Sequence, residues 1–130
     1  MALIEVLGTN NNAVGKKGEN NTITGNENNN ILKGADKDDE ITGGLGNDTI
    51  TGGVGLTTVN YKKGDGNDVI YLTKGEDLLL KFEKDSEIVT VDSLRYKYTN
   101  NNKDLLIFTS KSSDDEYITL KNFGIKDITN

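Results

Sequence analysis

Gly43-Gly44-Leu45-Gly46-Asn47-Asp48-Thr49-Ile50-Thr51 is the stretch on which the fold of this 130-residue chain turns. Paired glycines, a third glycine, an aspartate and an aliphatic residue between two threonines fill nine positions. The same spacing runs outward in both directions. Read from Leu7, the blocks are LGTNNNAVG, KKGENNTIT, GNENNNILK, GADKDDEIT, GGLGNDTIT and GGVGLTTVN. The eighth position is aliphatic in all six: Val14, Ile23, Leu32, Ile41, Ile50 and Val59. The sixth holds Asn12, Asn21, Asn30, Asp39, Asp48 and Thr57. After the inserted Tyr61 and Lys62 a seventh block, KGDGNDVIY, places Asp68 sixth and Ile70 eighth.

An apolar residue every nine positions matches neither a helix face nor a simple alternating strand. It fits a short strand in each block, joined to the next by a loop that turns the chain back. One inward side chain per block makes no core alone, so the blocks must stack.

Composition narrows the chemistry. Hydrophobic residues other than Gly make up 33% of the chain. Only its 15 Gly, which have no side chain to bury, bring it to the lower edge of the roughly 45–50% usual for a globular domain with Gly counted. Something besides an apolar core must therefore hold it together. There are 15 Gly and no Pro, and Asn clusters with Gly in the first third, a signature of turns. His, Cys and Trp are absent. That removes the usual zinc and copper ligands and the Ser-His and Cys-His nucleophile pairs. A metal bound here must be a hard cation taking oxygen ligands. The net charge of −6 argues against nucleic acid. Neither a long apolar run nor a signal-peptide pattern is visible, so no membrane span is expected. Met1–Ala2 reads as a start placed on a segment of a longer protein.

The block at 43–51 matches the pattern GGxGxDxUx in full, and Gly64-Asp65-Gly66-Asn67-Asp68-Val69-Ile70 nearly so. Over residues 7–71 the chain resembles the RTX repeats of secreted bacterial toxins, proteases, lipases and adhesins. The resemblance implies a right-handed parallel β-roll, two blocks per turn, with Ca²⁺ between loops two blocks apart. The residue types suit that chemistry. Glycine reaches the φ > 0 positions that let carbonyls converge, and Asp supplies the anionic oxygens that Ca²⁺ prefers.

If alternate blocks face one side, loops 7–12, 25–30, 43–48 and 63–68 stack together, and 16–21, 34–39 and 52–57 stack opposite. The best site then lies between 43–48 and 63–68. Asp48 and Asp68 are the expected side-chain ligands, with carbonyls of Gly43, Gly44, Gly46, Gly64 and Gly66 and a possible addition from Asp65. A second site between 25–30 and 43–48 would use Asn30. A third, opposite, would use Asp39 and Gly34, with Thr57 replacing its acidic partner. The asparagines at 12, 21 and 30 are expected to close the first coils by stacked Asn side chains, so that these coils bind little or no calcium.

From Tyr71 on, β-rich runs appear at Leu78–Phe82, Ile88–Val91, Leu94–Tyr98, Leu105–Phe108 and Tyr117–Leu120, separated by polar turns. This half, 72–130, is similar to the segment that follows the repeats in haemolysin-type proteins. It is expected as an antiparallel β cap over the open strand edges of the roll. Tyr61, Tyr71, Phe82, Tyr96, Tyr98, Phe108, Tyr117 and Phe123 are expected in the cap core, and Asp114-Asp115-Glu116 as a solvated turn.

The resemblance implies an all-β, calcium-binding module of a secreted, extracellular protein. Its implied partners are the type I secretion apparatus and the rest of a larger parent protein, with folding triggered by Ca²⁺ outside the cell. A recognition module for a glycan, a surface or ice is the alternative. Thr22, Thr24, Thr42, Thr49 and Thr51 would face outward for that purpose, but Lys33, Asn60 and Tyr71 interrupt the array. No catalytic activity is expected, because every close carboxylate pair is accounted for by the repeat.

Overall fold

The computed structural model describes residues 1–7, 11–62, 64–73, 75–82, 95–101, 103–109 and 114–123. Its strands are β1 (Ala2–Glu5), β2 (Asn12–Val14), β3 (Asn21–Thr24), β4 (Ile31–Lys33), β5 (Asp39–Thr42) and β6 (Thr49–Thr51). They continue with β7 (Gly55–Tyr61), β8 (Val69–Tyr71), β9 (Glu76–Phe82), β10 (Arg95–Thr99), β11 (Asp104–Phe108) and β12 (Tyr117–Lys121). No helix occurs among the described residues. The run Ile88–Val91 and residue Leu94 lie outside them.

Successive strands alternate between two sheets. One has the order β1-β3-β5-β7-β9, the other β10-β11-β12-β8-β6-β4-β2. Pairing from β1 to β9 and from β2 to β8 is parallel, so each pair of blocks is one coil of a β-roll. The register stacks Ile4, Ile23, Ile41, Val59 and Leu80 in one row and Ala13, Leu32, Ile50, Ile70 and Leu120 in the other. Ile23, Leu32, Ile41, Ile50 and Ile70 are fully buried. Each contributes about 1.5–3 kcal/mol of burial.

The first block departs from the expected phase. Ala13, not Val14, pairs with Leu32 and enters the core, while Val14 is 63% exposed. The segment between β2 and β3 holds six residues, 15–20, against five, 34–38, between β4 and β5. A shift of one residue turns every side chain of a strand to the other face. The residue in the sixth-position slot of this coil is accordingly Asn11, whose carbonyl accepts from the Ile31 N–H, rather than Asn12. The Tyr61–Lys62 insertion is absorbed at the end of the long β7, where Tyr61 is buried and packs edge-on against Phe82 at 5.9 Å.

The cap closes one sheet by imitating a coil. β12 pairs parallel to β8, and β11 and β10 then add antiparallel. In the other sheet the parallel ladder runs on through β9. The aromatic residues divide more than expected. Phe82 and Phe123 pack against the core, whereas Tyr71 stays exposed on the outward face of β8. Tyr96 and Tyr98, though paired with the buried Ile107 and Leu105, stay exposed on the last strand of their sheet.

Candidate metal centre

Alternation of the sheets sorts the loops. Those entering β2, β4, β6 and β8 lie on one side of the roll, and those entering β3, β5, β7 and β9 on the other. Asn30, Gly43, Gly44, Gly46, Asp48, Gly64, Asp65, Gly66 and Asp68 thus share one side, while Gly34 and Asp39 lie opposite, with Thr57 and Glu76.

Within the block, the first-position glycine makes room for the sixth-position side chain. A Cβ on Gly43 would collide with Asp48 Oδ2, one on Gly34 with Asp39 Oδ2, and one on Gly25 with Asn30 Oδ1. The second and fourth positions serve the backbone. Gly44 and Gly46 adopt φ of 83° and 90°, a region that residues with a Cβ rarely enter. A Cβ at Gly46 would also stand 2.6 Å from the Asn28 carbonyl of the previous same-side loop. Loop backbones are therefore nested coil on coil, with carbonyl oxygens close to the loop that follows.

The acidic residues are linked across coils. Asp48 N–H donates to Asp68 Oδ1 at 2.8 Å, and Asn30 N–H donates to Asp48 Oδ1 at 2.8 Å. Asp48, Asp65 and Asp68 are all nearly inaccessible to solvent. Burial, with the Asp65 charge, pushes the Asp48 carboxyl up to about 7, against the hydrogen bond from Asn30. Burial and the charges of Asp48, Asp65 and Glu116 push Asp68 up to about 8. Asp48 Oδ2 is buried and has no hydrogen-bond partner. A buried carboxylate oxygen in that position favours either a proton or a cation.

These residues fit a hard divalent cation. The donors are all oxygen, two or three are anionic, and the backbone around them is shaped by glycine. Among the described residues no three acidic side chains converge as a ready cluster, so loop carbonyls must complete the shell. Asp48, Asp68 and Asp65 would hold the ion, with carbonyls from the 43–48 and 62–68 loops. Bound there, it would offset the burial and the mutual repulsion that raise both aspartates.

The opposite side differs. Asp39 Oδ1 accepts from both the backbone N–H and the side-chain Nδ2 of Asn21, at 3.0 and 2.8 Å, and its Oδ2 accepts from Ala35 N–H at 2.8 Å. Thr57 Oγ1 is buried without a partner at the next coil, and the Glu76 carboxylate reaches in beside it, against Gly52. Glu76 was not singled out in the sequence, because it sits outside the nine-residue phase.

Two further groups escaped the sequence reading. The first is a ladder at the fifth position. Asn47 N–H donates to Asn29 Oδ1 at 2.7 Å, Asn67 N–H to Asn47 Oδ1 at 2.8 Å, and Tyr117 N–H to Asn67 Oδ1 at 2.9 Å. On the other side Asp38 N–H donates to Asn20 Oδ1, and Leu56 N–H to Asp38 Oδ1. The asparagine ladder thus runs at the fifth position and through side chain to backbone, whereas stacked side chains at the sixth were expected. The second is Glu116, expected in a solvated turn with the exposed Asp114 and Asp115. Its Oε1 accepts from Tyr61 OH, from Thr109 Oγ1 at 3.0 Å and from Gly64 N–H at 3.2 Å, tying the cap to the 62–68 loop.

A family model, the RTX calcium-binding nonapeptide repeat, matches residues 8–34, 24–59 and 64–79. No curated protein and no solved structure matches the chain.

Proposed function

Because this chain belongs to the RTX calcium-binding nonapeptide-repeat family, we propose that it is a Ca²⁺-ordered module of a secreted protein, weakly folded where calcium is scarce and completed outside the cell. The observation that carries the reading is Asp48 Oδ2, a buried carboxylate oxygen without a partner beside Asp68 and Asp65. Such a group opposes folding until a cation arrives.

Extracellular calcium modules have Kd values of about 10⁻⁴–10⁻³ M. A free concentration ten times Kd stabilises the fold by about 1.4 kcal/mol per site. Two or three sites give roughly 3–4 kcal/mol, comparable to the stability margin of a small domain. In a low-calcium cytosol that contribution vanishes, which suits export of an unfolded chain by a type I apparatus. The module performs no chemistry of its own, and its role is to fold, and to support its parent protein, on arrival.

Circular dichroism and thermal melts in EGTA and in millimolar CaCl₂ test this. The expected result is a calcium-dependent gain in β signal and in melting temperature. An identical, fully cooperative melt in both buffers overturns it.

A further inference from the structure

We propose that the side-chain amide of Asn21 stands in place of a calcium ion between the 15–20 loop and the 34–38 loop, closing that gap without metal. The inference rests on the calcium reading above and assigns where in the roll the ion is dispensable.

Asn21 Nδ2 donates to the Lys16 carbonyl at 3.2 Å, to the Glu19 carbonyl at 3.1 Å and to Asp39 Oδ1 at 2.8 Å. Two loop carbonyls from one coil and a carboxylate from the next are the oxygen set that a hard cation collects. Here an NH₂ group, a donor with partial positive charge, collects them instead. Its orientation is set by the network, because Asn21 Oδ1 accepts from Lys16 N–H at 2.9 Å. The reversed amide would press an oxygen against three acceptors. The residue is almost wholly buried. Asp39 is left with both oxygens hydrogen-bonded, through the Asn21 and Ala35 donors.

Asn30, the same residue type at the same position on the opposite side, behaves differently. Its Oδ1 accepts from Asn26 N–H and its Nδ2 donates to Asn26 Oδ1, at 2.8 and 3.0 Å, so the amide is turned into its own loop. Asp48, the carboxylate from the next coil there, keeps its buried, partnerless Oδ2. The plug is therefore specific to Asn21 and not a property of asparagine at that position.

Asn21→Asp replaces the donor by a second carboxylate oxygen and turns the gap into a set of oxygens that needs a cation. With CaCl₂ as the probe, calorimetry and native mass spectrometry should count one more ion per chain in N21D than in the unaltered protein. N21D should melt earlier than the unaltered protein in EGTA and recover in calcium. In the unaltered protein, the Asn21 NH₂ proton signals should exchange slowly with solvent and persist through a calcium titration. A folded N21D that binds no extra ion overturns the inference. If N21D does not fold even in calcium, a freely exchanging Asn21 NH₂, or a terbium peak between the 15–20 and 34–38 loops of the unaltered protein, overturns it instead. Absence of any calcium uptake by the unaltered protein sinks the calcium reading itself, whereas uptake without a gain in N21D sinks only this inference.

Discussion

The backbone N–H of Asp48 donates to the carboxylate of Asp68, twenty residues later, at 2.8 Å. Neighbouring coils are thus stitched by the same side chains that would hold the ion, and Asp48 does the same for Asn30. Each such aspartate gives one oxygen to the preceding coil and, on the calcium reading, offers the other to the metal. Calcium binding and coil stacking would therefore be coupled through single residues.

Asp48→Ala and Asp39→Ala separate those duties. Loss of Asp48 leaves the buried Asn30 N–H without its acceptor, costing about 1–3 kcal/mol, and removes a ligand. Calorimetry should show fewer bound ions, and the calcium-dependent part of the denaturation midpoint should shrink. Asp39→Ala removes three hydrogen bonds, but both Asp39 oxygens are already taken by the Asn21 and Ala35 donors, so it should lower stability by similar amounts in EGTA and in calcium. Equal calcium stoichiometry for the two variants contradicts this arrangement.

Protons and calcium compete for the same oxygens. The ordinary carboxyl value is 3.8, and the folded chain without metal raises Asp48 to about 7 and Asp68 to about 8. Between those limits the folded state holds protons that the unfolded state has released, so stability falls as pH rises. In calcium-free buffer the melting temperature should be highest near pH 4 and decline toward pH 8, levelling above it. Saturating calcium should remove that decline, because the ion replaces the protons. Calcium uptake at pH 7 should release protons, detectable as a buffer-dependent binding enthalpy.

The fifth-position ladder involves no carboxylate on the Asp48 side and should be indifferent to metal. Asn47→Ala deprives the Asn67 N–H of its acceptor at a cost of about 1 kcal/mol. The loss should be the same in EGTA and in calcium, measured by urea denaturation. A loss that appears only in calcium would tie the ladder to the site.

The register of the first coil gives a sharp contrast. Val14→Asp places a charge on an exposed face and should change stability by less than about 0.5 kcal/mol. Ala13→Asp buries a charge in the core and should cost several kcal/mol or unfold the coil. Equal effects, or the reverse order, would restore the uninterrupted nine-residue phase.

Much of the roll was legible because its period is covalent. Ile23, Leu32, Ile41, Ile50, Val59 and Ile70 recur at fixed spacing, and every coil repeats the same short strand, so stacking follows without knowledge of distant contacts. The Asp48–Asp68 pairing was legible for the same reason. The phase error at Ala13 was not, because Ala and Val are both apolar. Only the pairing of β2 with β4 shows which one faces inward.

What the chain alone determined is the alternation of glycine-shaped loops and single inward aliphatics, with oxygen as its only strong metal donor, since periodicity and residue chemistry are local properties. What only the tertiary structure decided is which identical residues do different work. Asn21 is a donor to Asp39 while Asn30 folds into its own loop. Glu116 reaches the 62–68 loop from fifty residues away. Those roles depend on which group the neighbouring coil presents across a gap of about 4.8 Å between strands, and no spacing along the chain encodes that.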